Sequence, residues 1–297
     1  MSILAMTRQF LKELYRETDD DDILNGAAVL GFYLMLAIFP AMIFVLAIIP
    51  YLPIANVDQA IMDLLRQALP ASAADMFAGV VQEVTQEQRG GLLSFGLLAA
   101  LWATSTGMYA IMQQLNITYG VDEGRGFLRA RLVAMALSLL FVVLVLGGFS
   151  LIVLGGQIQE WLGSRFGIGG ALLAFFTVFR WGIILAALLL AFSLIYYLAP
   201  NVKQRYKFIT AGSVVGVVVL LVASLAFAWY TQSIGNYAAT YGSVGAVIVL
   251  MMWLFIAGFA ILFGSEINVL NERHAGGKQN VGNAIGQRKR NAEARSH

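Results

Sequence analysis

Arg180 is the residue of this sequence that most directly suggests chemistry, because it is the one charged side chain between Ile168 and Leu198. An arginine at the centre of a membrane-spanning helix costs about 2.5 to 3.5 kcal/mol. In one interpretation the stretch after it spans the membrane alone, and Arg180 reaches the outer interface by snorkelling. In the other, Arg180 faces the helix bundle and binds an anion such as a lipid phosphate through its planar guanidinium.

A second polar feature is a stripe of five side chains that recur at intervals of three or four in and just after the apolar segment from Leu92 to Gln113. They are Trp102, Ser105, Tyr109, Gln113 and Asn116. This spacing places them on one face of a helix, and that face is expected to avoid lipid. Hydrogen bonding between helices accounts for such a face, and so does the lining of a polar cavity or substrate path.

Other residues suggest helix packing, bending and gating. Gly212 and Gly216 form a GxxxG motif, which allows close helix contact within one chain or between protomers of a homo-oligomer. Pro40 removes a backbone donor inside the first apolar segment and predicts a kink. Tyr241 and Gly242 predict an ordered outer turn before the last apolar segment, with the tyrosine at headgroup level.

The acidic and histidine residues do not predict a catalytic centre. Glu266 follows the last apolar segment, at the end opposite to Arg180, and the run from Asp19 to Asp22 is more typical of a hydrated helix cap than of a cation site. Cysteine is absent, and the two histidines, His274 and His297, lie in the C-terminal region. We therefore expect no enzymatic activity, no cofactor and no metal site.

The composition shows which solvent surrounds these residues. Hydrophobic residues make up 59% of the 297 residues, charged residues only 12%, and the mean hydropathy is +0.76. Too few charges remain to cover a water-soluble particle, so lipid must be the outer solvent. The predicted fold is all-α, a polytopic membrane bundle of six transmembrane helices. The spans are Ala27 to Leu52, Leu92 to Gln113, Leu132 to Leu154, Ala171 to Leu198, Phe208 to Tyr230, and Ser243 to Phe263.

The basic residues predict the orientation of this bundle. Of the 19 lysines and arginines, fifteen lie in the N-terminal segment, the second and fourth connections and the tail. Three lie in the other connections, and Arg180 lies within a span. Because basic residues favour the cytoplasmic side, both termini are predicted to be cytoplasmic.

Three segments flank or interrupt the spans. Residues 1–26 predict an amphipathic helix and an acidic linker, with the helix either on the membrane surface or packed on the rest of the protein. Residues 53–90 predict a short extracytoplasmic helical segment within the 27–270 transmembrane domain. Residues 271–297 predict a disordered basic tail, which is more typical of a topology anchor than of nucleic-acid binding.

Several segments together resemble the YihY/BrkB-like family of inner-membrane proteins, once labelled ribonuclease BN. They are AAVLGFYLMLAIFP from Ala27, LWATSTGMYAIMQQLNITYG from Leu101, RGFLRARL from Arg125, RW at Arg180, YLAPN from Tyr197, and YAATYGSVGAVIVLMMWLFIAGFAILFGSEIN from Tyr237. The resemblance implies a multi-pass protein of the bacterial cytoplasmic membrane with a name linked to virulence and envelope resistance. The ribonuclease label is rejected here, because clustered metal ligands are not evident in the sequence.

Two classes of function remain open. The first is a transporter or flippase for an amphiphilic, anionic, lipid-like molecule, with its headgroup near Arg180. The second is a non-transporting scaffold of the envelope, in which the polar residues only join helices. Membrane lipids are the expected partners in both, and nucleic acid in neither.

Overall fold

The computed structural model describes residues 3–48, 62, 90–166, 170–202, 204, 207–233 and 243–274. Within these ranges the secondary structure consists of seven α-helices. They are α1 (Ile3–Asp20), α2 (Ile23–Ile48), α3 (Gly90–Thr118), α4 (Phe127–Phe166), α5 (Gly170–Leu198), α6 (Ala211–Ser233) and α7 (Ser243–His274). The all-α prediction is confirmed.

Four of these helices are long and apolar enough to cross a membrane by length and composition. The qualifying stretches are Phe127–Val145, Ala174–Leu198, Ala211–Thr231 and Val247–His274. The stretches Arg8–Asp20 and Ile23–Ile38 pass the same test only as a pair, and they are bent by 54° at the break between them. The protein is therefore a membrane protein with several apolar helices, and the count of six spans stays a prediction.

The six helices after α1 form a closed circuit of contacts. Each packs against the next from α2 to α7, and α7 returns to pack against α2. Their shared core is apolar, as helices that leave lipid only for one another require. It includes Leu30 of α2, Leu115 of α3, Ala134 of α4, Phe192 of α5, Val217 of α6 and Leu262 of α7, all nearly or fully buried.

Glycines allow the closest approaches in this circuit. A Cβ atom on Gly212 of α6 would overlap the carbonyl oxygen of Gly264 on α7. On the other side of α7, a Cβ atom on Gly258 would lie 3.1 Å from the carbonyl oxygen of Ala27 on α2. The small residues therefore mediate contact within the chain, between α7 and both of its neighbours.

Helix α1 packs on the protein through one face. Leu14 is buried against Ile267 and Leu270 of α7, while Leu11 and Tyr15 on other faces of α1 are exposed. Of the two placements left open by the sequence, the structure therefore shows contact with the bundle. The exposed apolar residues leave a second face of α1 uncovered.

The helix boundaries differ from the predicted spans at several ends. Helix α2 begins at Ile23 rather than Ala27, because Ile23 joins the core, and α3 continues to Thr118 rather than Gln113. Helix α7 continues to His274, four residues into the predicted tail, because Leu270 packs against α1 and Arg273 pairs with Glu17. These extensions carry polar side chains to one end of the bundle.

Some predictions fall outside the described residues. They concern the extracytoplasmic segment 53–90 apart from residues 62 and 90, the turn at Tyr241 and Gly242, and the tail from residue 275. Helix α2 is helical on both sides of Pro40, whose side chain also lies outside the description.

Candidate functional site

Arg180 lies on α5 with donors that lack partners. Its Nε and Nη1 atoms are buried and have no hydrogen-bond partner among the described residues. The guanidinium carbon is 6.0 Å from the centroid of the Trp181 ring, at the outer limit of a cation–π contact. A half-buried guanidinium with two unsatisfied donors can bind an anion, whose oxygens would bond Nη2 together with either Nε or Nη1.

The surroundings of Arg180 are apolar and open to the outside of the bundle. Val178, Phe179 and Trp181 are 72%, 57% and 52% exposed. Arg180 is six residues inside the apolar stretch Ala174–Leu198, which is roughly 9 Å along the helix axis. That depth is within the reach of a snorkelling arginine, so both interpretations of Arg180 are compatible with its position.

The five residues of the predicted polar stripe on α3 differ in how exposed they are. Ser105 and Asn116 are buried, and Tyr109 is half-buried, but Trp102 is 49% exposed and Gln113 is exposed. The expectation that the whole stripe avoids the outside of the bundle is therefore wrong for two of its five members. The hydroxyl of Ser105 donates to the carbonyl oxygen of Trp102 in its own helix, which leaves less polarity for a substrate path.

Arg131 is buried in the bundle, although the predicted spans place it among the three basic residues of the second connection. Arg131 is 7% exposed on α4, and its Nη2 donates to the carbonyl oxygen of Trp102 at 2.7 Å and to the hydroxyl of Thr106 at 2.8 Å. Its guanidinium carbon lies 4.0 Å from the centroid of the Trp102 ring. Arg131 thus finds two acceptors and an aromatic ring within the bundle, and its Nε is the one donor of its guanidinium that is buried without a partner among the described residues.

Asn116 belongs to a network that joins the connection after α3 to the end of α5. Its Nδ2 donates to Glu123 at 3.0 Å, and its Oδ1 accepts from the backbone N–H of Asn201 at 2.7 Å. Arg125 forms an ion pair with Glu123 at 2.7 Å and donates to the carbonyl oxygen of Ala199 at 2.7 Å. Asn116 therefore acts as a structural link in this end of the bundle.

The pKa of Glu123 reflects this network. Burial tends to raise the pKa, but the hydrogen bonds and the charge of Arg125, with the bond from Asn116, hold it below the ordinary value for glutamate. Glu123 is therefore ionised near neutral pH, and Arg125 is its counter-ion.

Glu266 lies in an acidic cluster that also includes Glu17 and Asp21. It is fully buried, and neither of its carboxylate oxygens has a hydrogen-bond partner in the described part of the chain. One ligand atom from each of the three residues lies within 4.8 Å of the others. Glu266 and the acidic run are evident separately in the sequence, but nothing there indicates that α1 and the turn after it bring Glu17 and Asp21 to α7.

Two hydrogen bonds join α7 to α6 and to α5. The backbone N–H of Gly212 donates to Oδ1 of Asn268 at 2.8 Å, and Gly216 lies against Phe192 and Tyr196. The hydroxyl of Tyr196 donates to the carbonyl oxygen of Ile261 at 2.8 Å. These contacts join α5, α6 and α7. Within the described residues, no hydrogen bond joins the unpartnered donors of Arg180 to the unpartnered carboxylate of Glu266.

Comparison with known proteins gives a family and several relatives. The model of the family described as "Virulence factor BrkB" matches residues 14–285. The chain is 36% identical over 261 residues to the "Putative ribonuclease-like protein YfkH" of Bacillus subtilis, covering 88% of this chain and 94% of that one.

A second relative is longer than this chain. The chain is 28% identical over 254 residues to a "UPF0761 membrane protein" of Alkalilimnicola ehrlichii, covering 83% of this chain and 54% of that one. The chain thus spans about half of that relative's length. No solved structure matches.

Proposed function

The chain belongs to the BrkB virulence-factor family, and we propose that it binds an anionic, lipid-like amphiphile at Arg180 and moves it across the membrane. One observation carries the proposal: two donors of the Arg180 guanidinium are buried without a partner in the described residues. An unpaired buried donor is costly, and a phosphate or carboxylate oxygen would satisfy one of these donors through a charge-assisted hydrogen bond.

The surface around Arg180 suits an amphiphile better than a small soluble anion. Phe175, Val178 and Phe179 are all more than half exposed on the same helix. Acyl chains can lie against these side chains while the headgroup reaches the guanidinium one residue further along α5. A binding site that opens sideways to lipid is what a lipid-like substrate requires, since its tails remain in the hydrocarbon layer.

The test compares two substitutions at Arg180 in vesicles that contain a fluorescent phosphatidylglycerol analogue. Arg180→Lys keeps the charge but loses the planar fork, so we expect headgroup binding and lipid scrambling to fall by about tenfold or more. Arg180→Ala should abolish both activities. Signals are normalised to the amount of inserted protein.

Arg165 provides the matched control, because it is an exposed arginine in the last turn of α4. Arg165→Lys should leave binding and scrambling unchanged. Full activity of Arg180→Lys would contradict the proposal, because a snorkelling lysine reaches the interface about as well as an arginine.

The alternative function is that of a non-transporting envelope scaffold. It is favoured by the bonds that join α5, α6 and α7, such as those of Tyr196 and Asn268, which show that much of the polarity in the bundle holds helices together. A wild-type protein that neither binds nor scrambles the lipid, yet is stably inserted, would support this alternative.

Further parts of the proposal concern location and catalysis. We place the protein in the bacterial cytoplasmic membrane with both termini in the cytoplasm, with membrane lipids rather than nucleic acid as partners. We also propose that it is not an enzyme, although Glu17, Asp21 and Glu266 supply a set of carboxylates that the sequence alone did not reveal. Glu266 has no exposed surface on which a phosphodiester could bind.

A further inference from the structure

The carboxylates of Glu17, Asp21 and Glu266 meet where α1 packs on α7. Their ligand atoms lie within 4.8 Å of one another, and Glu266 is fully buried with both oxygens unpartnered among the described residues. Three carboxylates at this separation repel one another when they are ionised. A carboxylate buried without a partner is costly, so the cluster requires a neutralising group.

The nearby arginines balance only part of this charge. Arg273 lies 3.0 Å from Glu17, and Arg16 lies 3.6 Å from the same carboxylate with 67% of its side chain exposed. Neither arginine forms an ion pair with Glu266 within the ranges that the structure describes. The local charge therefore favours a ligand that contacts several carboxylates at once, and a small cation does so.

We propose that Glu17, Asp21 and Glu266 bind one divalent cation of the Mg²⁺ class, which fastens α1 to α7. The donors are oxygen atoms only, and hard cations such as Mg²⁺ and Mn²⁺ prefer such ligands. Three protein ligands leave coordination positions for water, as Mg²⁺ usually retains several water molecules. The site is independent of lipid binding at Arg180, so each proposal can fail without the other.

The experiment measures Mn²⁺ binding to the purified full chain in nanodiscs by electron paramagnetic resonance, with Mg²⁺ as the competitor. Wild type should bind one Mn²⁺, displaceable by Mg²⁺, and the cation should raise the midpoint of thermal unfolding. Glu266→Gln keeps the shape and removes the charge, so Mn²⁺ affinity should fall by more than about tenfold.

Glu13→Gln provides the matched control, because Glu13 also joins α1 to the end of α7 through His274 but lies outside the cluster. It should keep the Mn²⁺ response. Without cation, Glu266→Gln should unfold at the same temperature as wild type or higher, since it removes repulsion between buried charges. If Glu266→Gln fails to fold, Asp21→Asn serves as the second variant, with the same expected loss.

Two results would overturn the inference. If wild type binds no Mn²⁺, a proton on one carboxyl neutralises the cluster instead. If Mn²⁺ binds but Glu266→Gln and Asp21→Asn bind it equally well, the cation sits on exposed acids such as Asp19 and Asp20. A lost Mn²⁺ response in both variants, kept in Glu13→Gln, supports the site.

Discussion

The contact between α6 and α7 predicts a large effect for the smallest side-chain change, Gly212→Ala. The added Cβ would overlap the carbonyl oxygen of Gly264 and lie 2.6 Å from Oδ1 of Asn268. The helices would have to separate, and overpacking of this kind costs about 1 to 3 kcal/mol. Separation also weakens the buried hydrogen bond from Gly212 to Asn268, worth about 1 kcal/mol. The expected loss in unfolding free energy is thus about 2 to 4 kcal/mol.

The assay is reversible unfolding of the purified protein in mixed micelles, with Gly182→Ala as the control. Gly182 lies on α5 in the exposed part of the bundle, and a Cβ there would meet nothing within 4 Å. The control should be neutral or slightly stabilising, because alanine has the higher helix propensity. If Gly212→Ala and Gly182→Ala had equal stability, the close α6–α7 contact would be refuted.

Three further predictions concern topology, catalysis and acid stability. Alkaline phosphatase fused after residue 280 should be inactive, and residue 82 should be accessible only from outside; active fusions at 280 would reject the orientation. Purified protein should not hydrolyse RNA with Mg²⁺ or Mn²⁺, and cleavage lost in Glu266→Gln would refute the non-enzymatic proposal. Because the folded pKa of Glu123 is depressed, its stabilisation is present above about pH 4.5 and is lost as the pH falls below it. Glu123→Gln should therefore lower stability at pH 7 and flatten its acid dependence, while an unchanged unfolding profile would count against the network.

The helices were largely predictable from the sequence because runs of apolar residues leave few alternatives in lipid. The ends were less predictable, since tertiary contacts decide them. Helix α7 continues past Phe263 because Ile267 and Leu270 pack against Leu14. The residues around position 267 do not indicate that their contact lies near the N-terminus of the chain. The same reason explains why the placement of α1 stayed open.

The candidate sites were predictable to different extents. Arg180 was evident because one charge in a long apolar run is conspicuous at the level of sequence. The acidic cluster was not, because Glu17 and Asp21 come from the N-terminus while Glu266 comes from the last helix. Arg131 was predicted to lie in a connection because it precedes the apolar run that begins at Leu132, and its partners, Trp102 and Thr106, lie about 25 to 29 residues earlier in the chain.

Most of the described polar contacts between helices lie at one end of the bundle, with the 3.4 Å contact from Trp253 to Ser224 as an exception, and this asymmetry bears on how a substrate would enter. Arg125 bonds the end of α5 at Ala199, Gly212 bonds α7 at Asn268, and Glu17 pairs with Arg273.

Arg180 lies about 27 Å along α5 from its bonded end at Leu198, since 18 residues separate them at 1.5 Å each. Separating helices at the bonded end would break several buried hydrogen bonds, each worth about 1 kcal/mol. Around Arg180 the exposed neighbours are apolar and form no polar bonds between helices that an opening would have to break. We therefore expect any opening that admits a headgroup to occur at the Arg180 end, while the opposite end stays closed.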